Sequence, residues 1–382
     1  MNKDVVAVRT VATMSSLTNK AKTLLESKKG FPAFMKKYLI LIIFCIVVCL
    51  LNAWLRATWS PLASIFSSSN HTTKLQPNLT VLLWYWPFGI PEDLHGDVCW
   101  DLYRIPGCRV VTERSLFSEA DVVVFHNKEL VIKREKLPME LPRPPGQRWA
   151  WLSLESPALN GDVKGLGGVF NLTVSYRRDA DVSIPYGELL PRGPEDVVED
   201  NLQNKTDLVC WVVSNYRLSH TRTKLCKELT TIIPLKVYGR LTTPLKPEEL
   251  LPTLSRCYFY LAFENSLSKD YITEKLWRNA FQSGAVPVVL GAPLQDYKDV
   301  APPHSFIHVD EFASVKELAE YLHNLAGDPE RYGEYLRWRT DWKAKTDDSY
   351  RWVLCQVCAQ YHSFPQHKVY ADLAAWQAET TV

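Results

Sequence analysis

The 382-residue chain lacks an excess of charge of either sign. Its 44 Lys and Arg stand against 42 Asp and Glu, a formal net charge of +2, so nothing in the overall balance calls for a nucleic-acid partner. It lacks an internal repeat, which excludes solenoid and propeller architectures. It lacks a Gly-rich phosphate loop, since Gly165-Leu-Gly-Gly168 is too weak a match. Ordinary zinc spacing is missing too: Cys355, Cys358, His362 and His367 are ligand types, but the turn between the pairs is too short, and no metal is expected. The Cys-x-x-Cys there has no thioredoxin-like context that would make it a redox motif. Long apolar runs are absent as well, with one exception.

That exception is Tyr38 to Leu55, YLILIIFCIVVCLLNAWL. A spanning helix needs ~20 apolar residues, so the run suffices. Lys28, Lys29, Lys36 and Lys37 precede it and only Arg56 follows closely, which keeps the N-terminus cytosolic and sends the rest into a lumen. No small-x-small cleavage site stands out, so the run predicts a signal anchor rather than a removed signal peptide. Four sequons follow it, at Asn70, Asn78, Asn171 and Asn204, as expected of a luminal, N-glycosylated chain. Of nine cysteines, Cys45 and Cys49 fall in the span. The other seven are an odd number, so at least one is unpaired within the chain.

The remainder is 46% hydrophobic and 12% aromatic over the whole chain, which suits packed domains and argues against disorder. Most of the thirteen Trp and seventeen Tyr are read as core, with sugar-stacking platforms among them. Apolar runs at 79–86, 120–126, 149–155 and 182–187 read as buried strands. A soft polar stretch follows, and then strands at 208–215, 234–239, 258–263 and 285–291 with helical spacing at 221–229 and 315–325. Alternating strands and helices in two blocks predict an α/β protein with two Rossmann-like domains facing across a cleft. The divisions are a cytosolic tail 1–37, an anchor 38–55, a stem 56–77, a first domain 78–190, a linker 191–207, a second domain 208–360 and a C-terminal tail 361–382.

The stretch Tyr260 to Gly291 carries the most information. It reads strand, loop, helix, strand, with Asp270 as helix cap and Gly284 as helix stop. Tyr271, Glu274, Lys275, Arg278 and Gln282 share one face of that helix, while Ile272, Leu276 and Ala280 share another. A helix N-terminus after a strand suits a phosphate, and Lys275 adds charge there. An ordinary amphipathic helix with a solvated face explains the pattern equally well.

This stretch, FENSLSKDYITEKLWRNAFQSGAVPVVLG, resembles the signature of the α1,3/4-fucosyltransferases of glycosyltransferase family 10. The resemblance extends through WYWPFG (84–89), AWLSLESP (150–157), FNLTVSYRRDAD (170–181), PYG (185–187) and VCWVVSN (209–215). It implies a GT-B fold, GDP-fucose as donor substrate with no cofactor, and a Golgi type II membrane enzyme acting on glycan acceptors, with homodimerisation left open. Arg222 and Lys275 would contact the diphosphate. Tyr271 and Glu274 would hold the nucleoside and ribose, and Glu264 and Asn265 would line the donor pocket. Glu155 would be the general base of an inverting transfer, because a β-linked donor giving an α-linked product needs a group to take the acceptor proton. Phe88, His126 and Lys128 would meet the acceptor. Where the family carries His-His-Arg-Asp or His-His-Trp-Asp, this chain has His126, Asn127, Lys128 and Glu129. Cationic Lys128 points to type 2 acceptors and Lewis x or sialyl-Lewis x products. The resemblance also implies disulfides Cys99–Cys108, Cys210–Cys257 and Cys355–Cys358, leaving Cys226 free. Asp179-Ala-Asp181 is read as salt-bridged to Arg177 and Arg178 rather than metal-binding. Transfer from another nucleotide sugar, or a binder without turnover, stay open as alternatives.

Overall fold

The structure, a computed structural model, describes residues 79–197, 204–365 and 367–378. The expected tail 1–37, the apolar run 38–55, the stem and the sequons at Asn70 and Asn78 lie outside the described residues. Among the described residues no helix is long and apolar enough to cross a membrane.

Six parallel strands form the first sheet: β1 (Leu79–Leu83), β2 (Cys108–Val111), β3 (Val122–His126), β4 (Arg148–Ser153), β5 (Leu172–Ser175) and β6 (Val182–Ser183). Their spatial order is β2-β1-β3-β4-β5-β6. Side chains alternate between two apolar layers. Val81, Leu83, Val122, Val124, Ala150 and Leu152 share one, and Leu82, Val123, Phe125, Trp149 and Trp151 share the other. Both faces are covered, which is why these strands read as unbroken apolar runs rather than alternating ones.

The second sheet is also parallel. It contains β8 (Asp207–Val212), β9 (Leu235–Tyr238), β10 (Cys257–Phe263), β11 (Val286–Leu290) and β12 (Ile307–His308), in the order β12-β11-β10-β8-β9. Trp211, Phe259, Leu261 and Val288 pack with Leu229 of the helix Thr221–Thr230 and with Leu318 and Leu322 of the helix Val315–Ala326. On the opposite face Tyr260, Ala262 and Val289 meet Leu276 and Ala280. In both sheets the strand order reverses beside the first strand, between β1 and β3 and between β8 and β10. Doubly wound sheets bind ligands at the carboxyl ends of such switch points.

Three expectations are corrected here. First, the expected second domain and tail run past the real lobe boundary. Strand β7 (Glu188–Pro191) pairs antiparallel with β13 (Trp342–Lys345), and from β13 the chain returns to the first lobe. The helix Tyr350–Gln360 buries Val353, Leu354 and Val357 against the first sheet. Residues beyond 360 are no tail: Tyr370 and Leu373 sit in the first lobe's other layer, and the Tyr370 N–H bonds to the Phe170 carbonyl at 2.9 Å.

Second, the cysteines of the first lobe pair otherwise than expected, as Cys99–Cys355 and Cys108–Cys358. Cys355 and Cys358 lie one turn apart on a helix. Residues so spaced keep their Cβ atoms ~5–6 Å apart, beyond the ~4 Å a disulfide requires, but they face the same neighbour. That neighbour supplies Cys99 from the helix Val98–Tyr103 and Cys108 from β2. Cys210–Cys257 forms as expected, and Cys226 is free and buried.

Third, Asp270 does not cap a helix. Its backbone is left-handed, φ 59°, a conformation Asp tolerates better than most residues. Its carboxylate is spent on Arg178 at 2.6 Å. Regular turns begin one residue before Lys275–Gln282, which is a π-helix, a form often found at functional positions. Gly284, at φ 75°, ends it as the sequence indicates.

Candidate active site

At the carboxyl ends of β8 and β10 a cavity of about 740 Å3 opens. Arg222, Arg240, Lys246, Lys275 and Arg278 line it, and Glu274 is the one carboxylate among its lining residues. Such an excess of cations suits an anion of more than one charge. Arg222 is the second residue of the helix Thr221–Thr230 and is buried. Its Nη1 donates to the Phe263 carbonyl at 3.2 Å and its Nη2 to the Asn215 carbonyl at 2.8 Å. This fixes the guanidinium between the two strand ends, with its Nε unpartnered. An unused buried donor at a helix N-terminus is an arrangement an anionic ligand would complete. Asn265 also lines the cavity, at the end of β10.

Glu264 lies deeper than expected. It is 3% exposed, and its Oε1 accepts from the Thr273 N–H at 2.8 Å and the Thr273 hydroxyl at 2.9 Å. Its Oε2 pairs with Lys275 Nζ at 2.9 Å. Burial raises its carboxyl pKa, opposed by Lys275. Burial would lower the Lys275 pKa, but Glu264 and Glu274 outweigh it and hold the ammonium above its usual value. Glu264 is therefore an anchor for Lys275 rather than a wall of the cavity. Gly291 makes room for it: a Cβ there would lie 2.6 Å from Glu264 Cγ.

Glu155 follows β4 on the facing lobe and is half-buried. Its N–H donates to the Ser153 hydroxyl at 3.2 Å, and its carbonyl accepts from Asn160 at 3.1 Å. Its carboxylate accepts from the Tyr271 hydroxyl, on the second lobe, at 3.4 Å. Desolvation raises its pKa, and Lys275 and Tyr271 act the other way. The Lys275 charge thus reaches Glu155 from across the cleft. The lobes also meet where the Ser156 hydroxyl donates to that of Ser266 at 2.7 Å.

Tyr271 departs from its expected place with the nucleoside. It is 2% exposed, its ring lies 4.9 Å from Tyr176, and its hydroxyl donates to the Glu155 carboxylate rather than lining the cationic cavity. Glu274 does line that cavity, paired with Lys275 at 3.2 Å. On the other side of Glu155, exposed Lys128 lowers the carboxyl pKa through its charge. Phe88 has left-handed backbone (φ 57°), its N–H bonds to Glu129 at 2.8 Å, and its ring remains 46% exposed. His126 is buried at 2% exposure. Its ring is 5.0 Å from Phe88 and 5.9 Å from Tyr350, and its Nδ1 is 2.5 Å from Glu129. Desolvation lowers its pKa, opposed by Glu129. His126 therefore supports Phe88 from beneath.

Sequence reasoning missed Tyr350, whose hydroxyl pKa is raised by burial and by the charge of Glu155. It also assigned Arg178 no role across the lobes. Arg177 pairs with Asp179 at 2.6 Å as expected, while Arg178 crosses to Asp270, Asp296 and Asp299. Asp181 pairs with Lys368 at 2.7 Å. Asn204 is exposed. The Asn171 amide is engaged, accepting from the Trp149 N–H and donating to the Lys368 carbonyl, both at 2.9 Å.

Residues 76–187 match the family model described as Fucosyltransferase, N-terminal, and residues 202–376 match Glycosyltransferase family 10 (fucosyltransferase) C-term. Alpha-(1,3)-fucosyltransferase 7 of Homo sapiens is 40% identical over 327 residues, 85% of this chain and 93% of that protein. The Homo sapiens 3-galactosyl-N-acetylglucosaminide 4-alpha-L-fucosyltransferase FUT3 is 42% identical over 327 residues, 84% of this chain and 88% of that one. A solved alpha1,3-fucosyltransferase with GDP-fucose superposes with a TM-score of 0.52 at 18% identity, covering 80% of this chain and 95% of its own, a likeness of fold.

Proposed function

The chain belongs to the fucosyltransferases of glycosyltransferase family 10, and from that premise we propose that it moves L-fucose from GDP-β-L-fucose onto the GlcNAc of N-acetyllactosamine by a single inverting displacement. The observation that carries the reading is the half-buried Glu155 carboxylate opposite the cation-lined cavity, close enough for Lys275 to act on its pKa.

The acceptor hydroxyl gives its proton to Glu155 as its oxygen bonds to the fucose anomeric carbon. The bond from that carbon to the diphosphate oxygen breaks, and GDP leaves with the electron pair. Desolvation makes Glu155 a stronger base than an ordinary glutamate. Arg222 and Lys275 offer fixed positive charge to the leaving diphosphate, so no protonating acid is needed. Phe88 offers an exposed ring for a sugar face, and Lys128 favours type 2 acceptors, giving Lewis x or sialyl-Lewis x products. Three disulfides support folding in an oxidising lumen. With Tyr38–Leu55 as anchor the reading becomes a Golgi type II enzyme.

The test incubates the full chain, in membranes, with GDP-fucose, GDP-mannose or a UDP-sugar and with sialylated and neutral type 1 and type 2 acceptors. Transfer from GDP-fucose to a type 2 acceptor is expected. Transfer from another donor alone would refute the donor, and GDP-fucose binding without transfer to any acceptor would reduce the protein to a binder. Glu155→Gln is expected to keep GDP affinity and lose at least ~100-fold in kcat.

A further inference from the structure

Arg178 follows β5 on the first lobe and places its guanidinium among three carboxylates of the second. Nε meets Asp270 at 2.6 Å, Nη2 meets Asp296 at 2.9 Å and Nη1 meets Asp299 at 2.5 Å. The Arg178 N–H also donates to Asp270 at 3.1 Å, and the Asp270 N–H donates to Asp296 at 2.7 Å. The Arg178 side chain is 42% exposed, but the Asp270 and Asp296 side chains it meets are buried, so two of the three contacts are half-buried rather than fully exposed pairs. Without the guanidinium, three carboxylates would crowd together with only the more distant charge of Lys269 to offset them. The clamp bears on the next residue. Asp270 holds left-handed backbone, φ 59°, and Tyr271 beside it presents its hydroxyl to Glu155.

We infer that Arg178 is a positioning residue for the transfer: by fixing Asp270 in its left-handed conformation it sets the Tyr271 hydroxyl against Glu155. The inference rests on Glu155 being the base. Arg178 does not line the cationic cavity, so its effect falls on turnover rather than on nucleotide affinity. A lysine keeps the charge but lacks the fork that reaches three carboxylates at once.

The experiment is a double-mutant cycle on the full chain. Arg178→Lys and Asp270→Asn are each made with Tyr271 present and in a Tyr271→Phe background. Measured are kcat, the acceptor KM, GDP affinity and thermal unfolding. With Tyr271 present, each is expected to lower kcat by about tenfold or more while GDP affinity holds, since small misplacements of a catalytic group are costly. In the Tyr271→Phe background the same changes are expected to lower kcat far less, although they shift unfolding equally in both backgrounds. Equal losses of kcat in both backgrounds, or no loss with Tyr271 present, would overturn the inference. A normal rate for Glu155→Gln would instead remove the base assignment, a separate result.

Discussion

Replacing Cys99 and Cys355 together by alanine tests the corrected pairing and measures how the returning C-terminal segment is held. Alanine is the right replacement because both sites are fully buried, where a serine hydroxyl would want a partner. The two bridges of the first lobe span sequence separations of 256 and 250 residues. Alone, a bridge closing so long a loop would stabilise the fold by about 5–6 kcal/mol through the unfolded chain. With Cys108–Cys358 intact the long loop stays closed. What opens is only the small ring from 99 to 108 and 355 to 358, about a dozen residues, worth about 3 kcal/mol. The first bridge removed therefore costs about half as much as the second.

The assay is denaturant unfolding of the full chain for the two single-pair variants and the four-cysteine variant. Each single-pair variant is expected to fold and turn over with stability reduced by about 3 kcal/mol. The four-cysteine variant loses about 8–9 kcal/mol, comparable with the whole stability of a typical domain. Tyr350 opens the bridged helix and packs its ring near His126, so its packing should loosen with loss of the second bridge. Cys99–Cys108 peptides in a non-reducing digest would refute the pairing, and a first-bridge loss as large as the second would refute the ring argument.

With Glu155 as the proposed base, the acid limb of kcat/KM is expected to report its ionisation. The base must be ionised, its pKa lies above the usual carboxylate range, and activity is expected to fall as pH drops through that raised value. Tyr271→Phe removes a hydrogen bond to the charged form and is expected to move the acid limb to higher pH; an unmoved limb would show that the hydroxyl does not act on the base. Gly291→Ala forces Glu264 aside and is expected to weaken GDP binding by at least tenfold, about 1.4 kcal/mol, in calorimetry; unchanged affinity would refute the anchoring of Lys275. Lys205 is buried, bonds only the carbonyls of Cys257 and Gly284, at 2.9 and 2.7 Å, and is brought down to about 7 by desolvation. The folded state then binds fewer protons than the unfolded between about pH 7 and 10. Wild-type stability should therefore rise with pH relative to Lys205→Met, by on the order of 4 kcal/mol at most, and a pH-independent difference would refute the shift.

The fold was legible where its strands are buried on both faces. Runs such as VVVFH and YFYLAF can be little else at that length; β3 lies within the stretch read for it, and β10 covers the stretch 258–263 and begins one residue earlier, at Cys257. The pairing of β7 with β13 was not legible. Glu188–Pro191 and Trp342–Lys345 are half-exposed and mixed in character, and nothing local says that the chain crosses back between lobes there. The same crossing hid the disulfides, because two cysteines close in sequence are a natural pair until a helix turns both toward a third element. The site divides similarly. Glu155 and Lys275 were singled out from motifs at strand and helix ends, where ligands gather, and the structure brings both to the cleft. Arg178 could not be paired with Asp270, Asp296 and Asp299 from the sequence, since its partners lie 92, 118 and 121 residues away.

Glu264 is a buried carboxylate that does not line the cationic cavity, and its place bears on the proposed chemistry. A lysine free to move in a cleft facing an unpaired glutamate would pair with it, and the pair would cancel both the cation proposed to meet the leaving group and the carboxylate proposed as base. Glu264 prevents this by holding Lys275 Nζ at 2.9 Å, itself fixed by two donors from Thr273 and by the close approach of Gly291. Lys275 still presents charge to the cavity, and Glu155 keeps a raised pKa with a neutral tyrosine as its hydrogen-bond donor. In the proposed displacement the two opposed tasks, removing a proton and stabilising an anion, would thus fall to separate lobes.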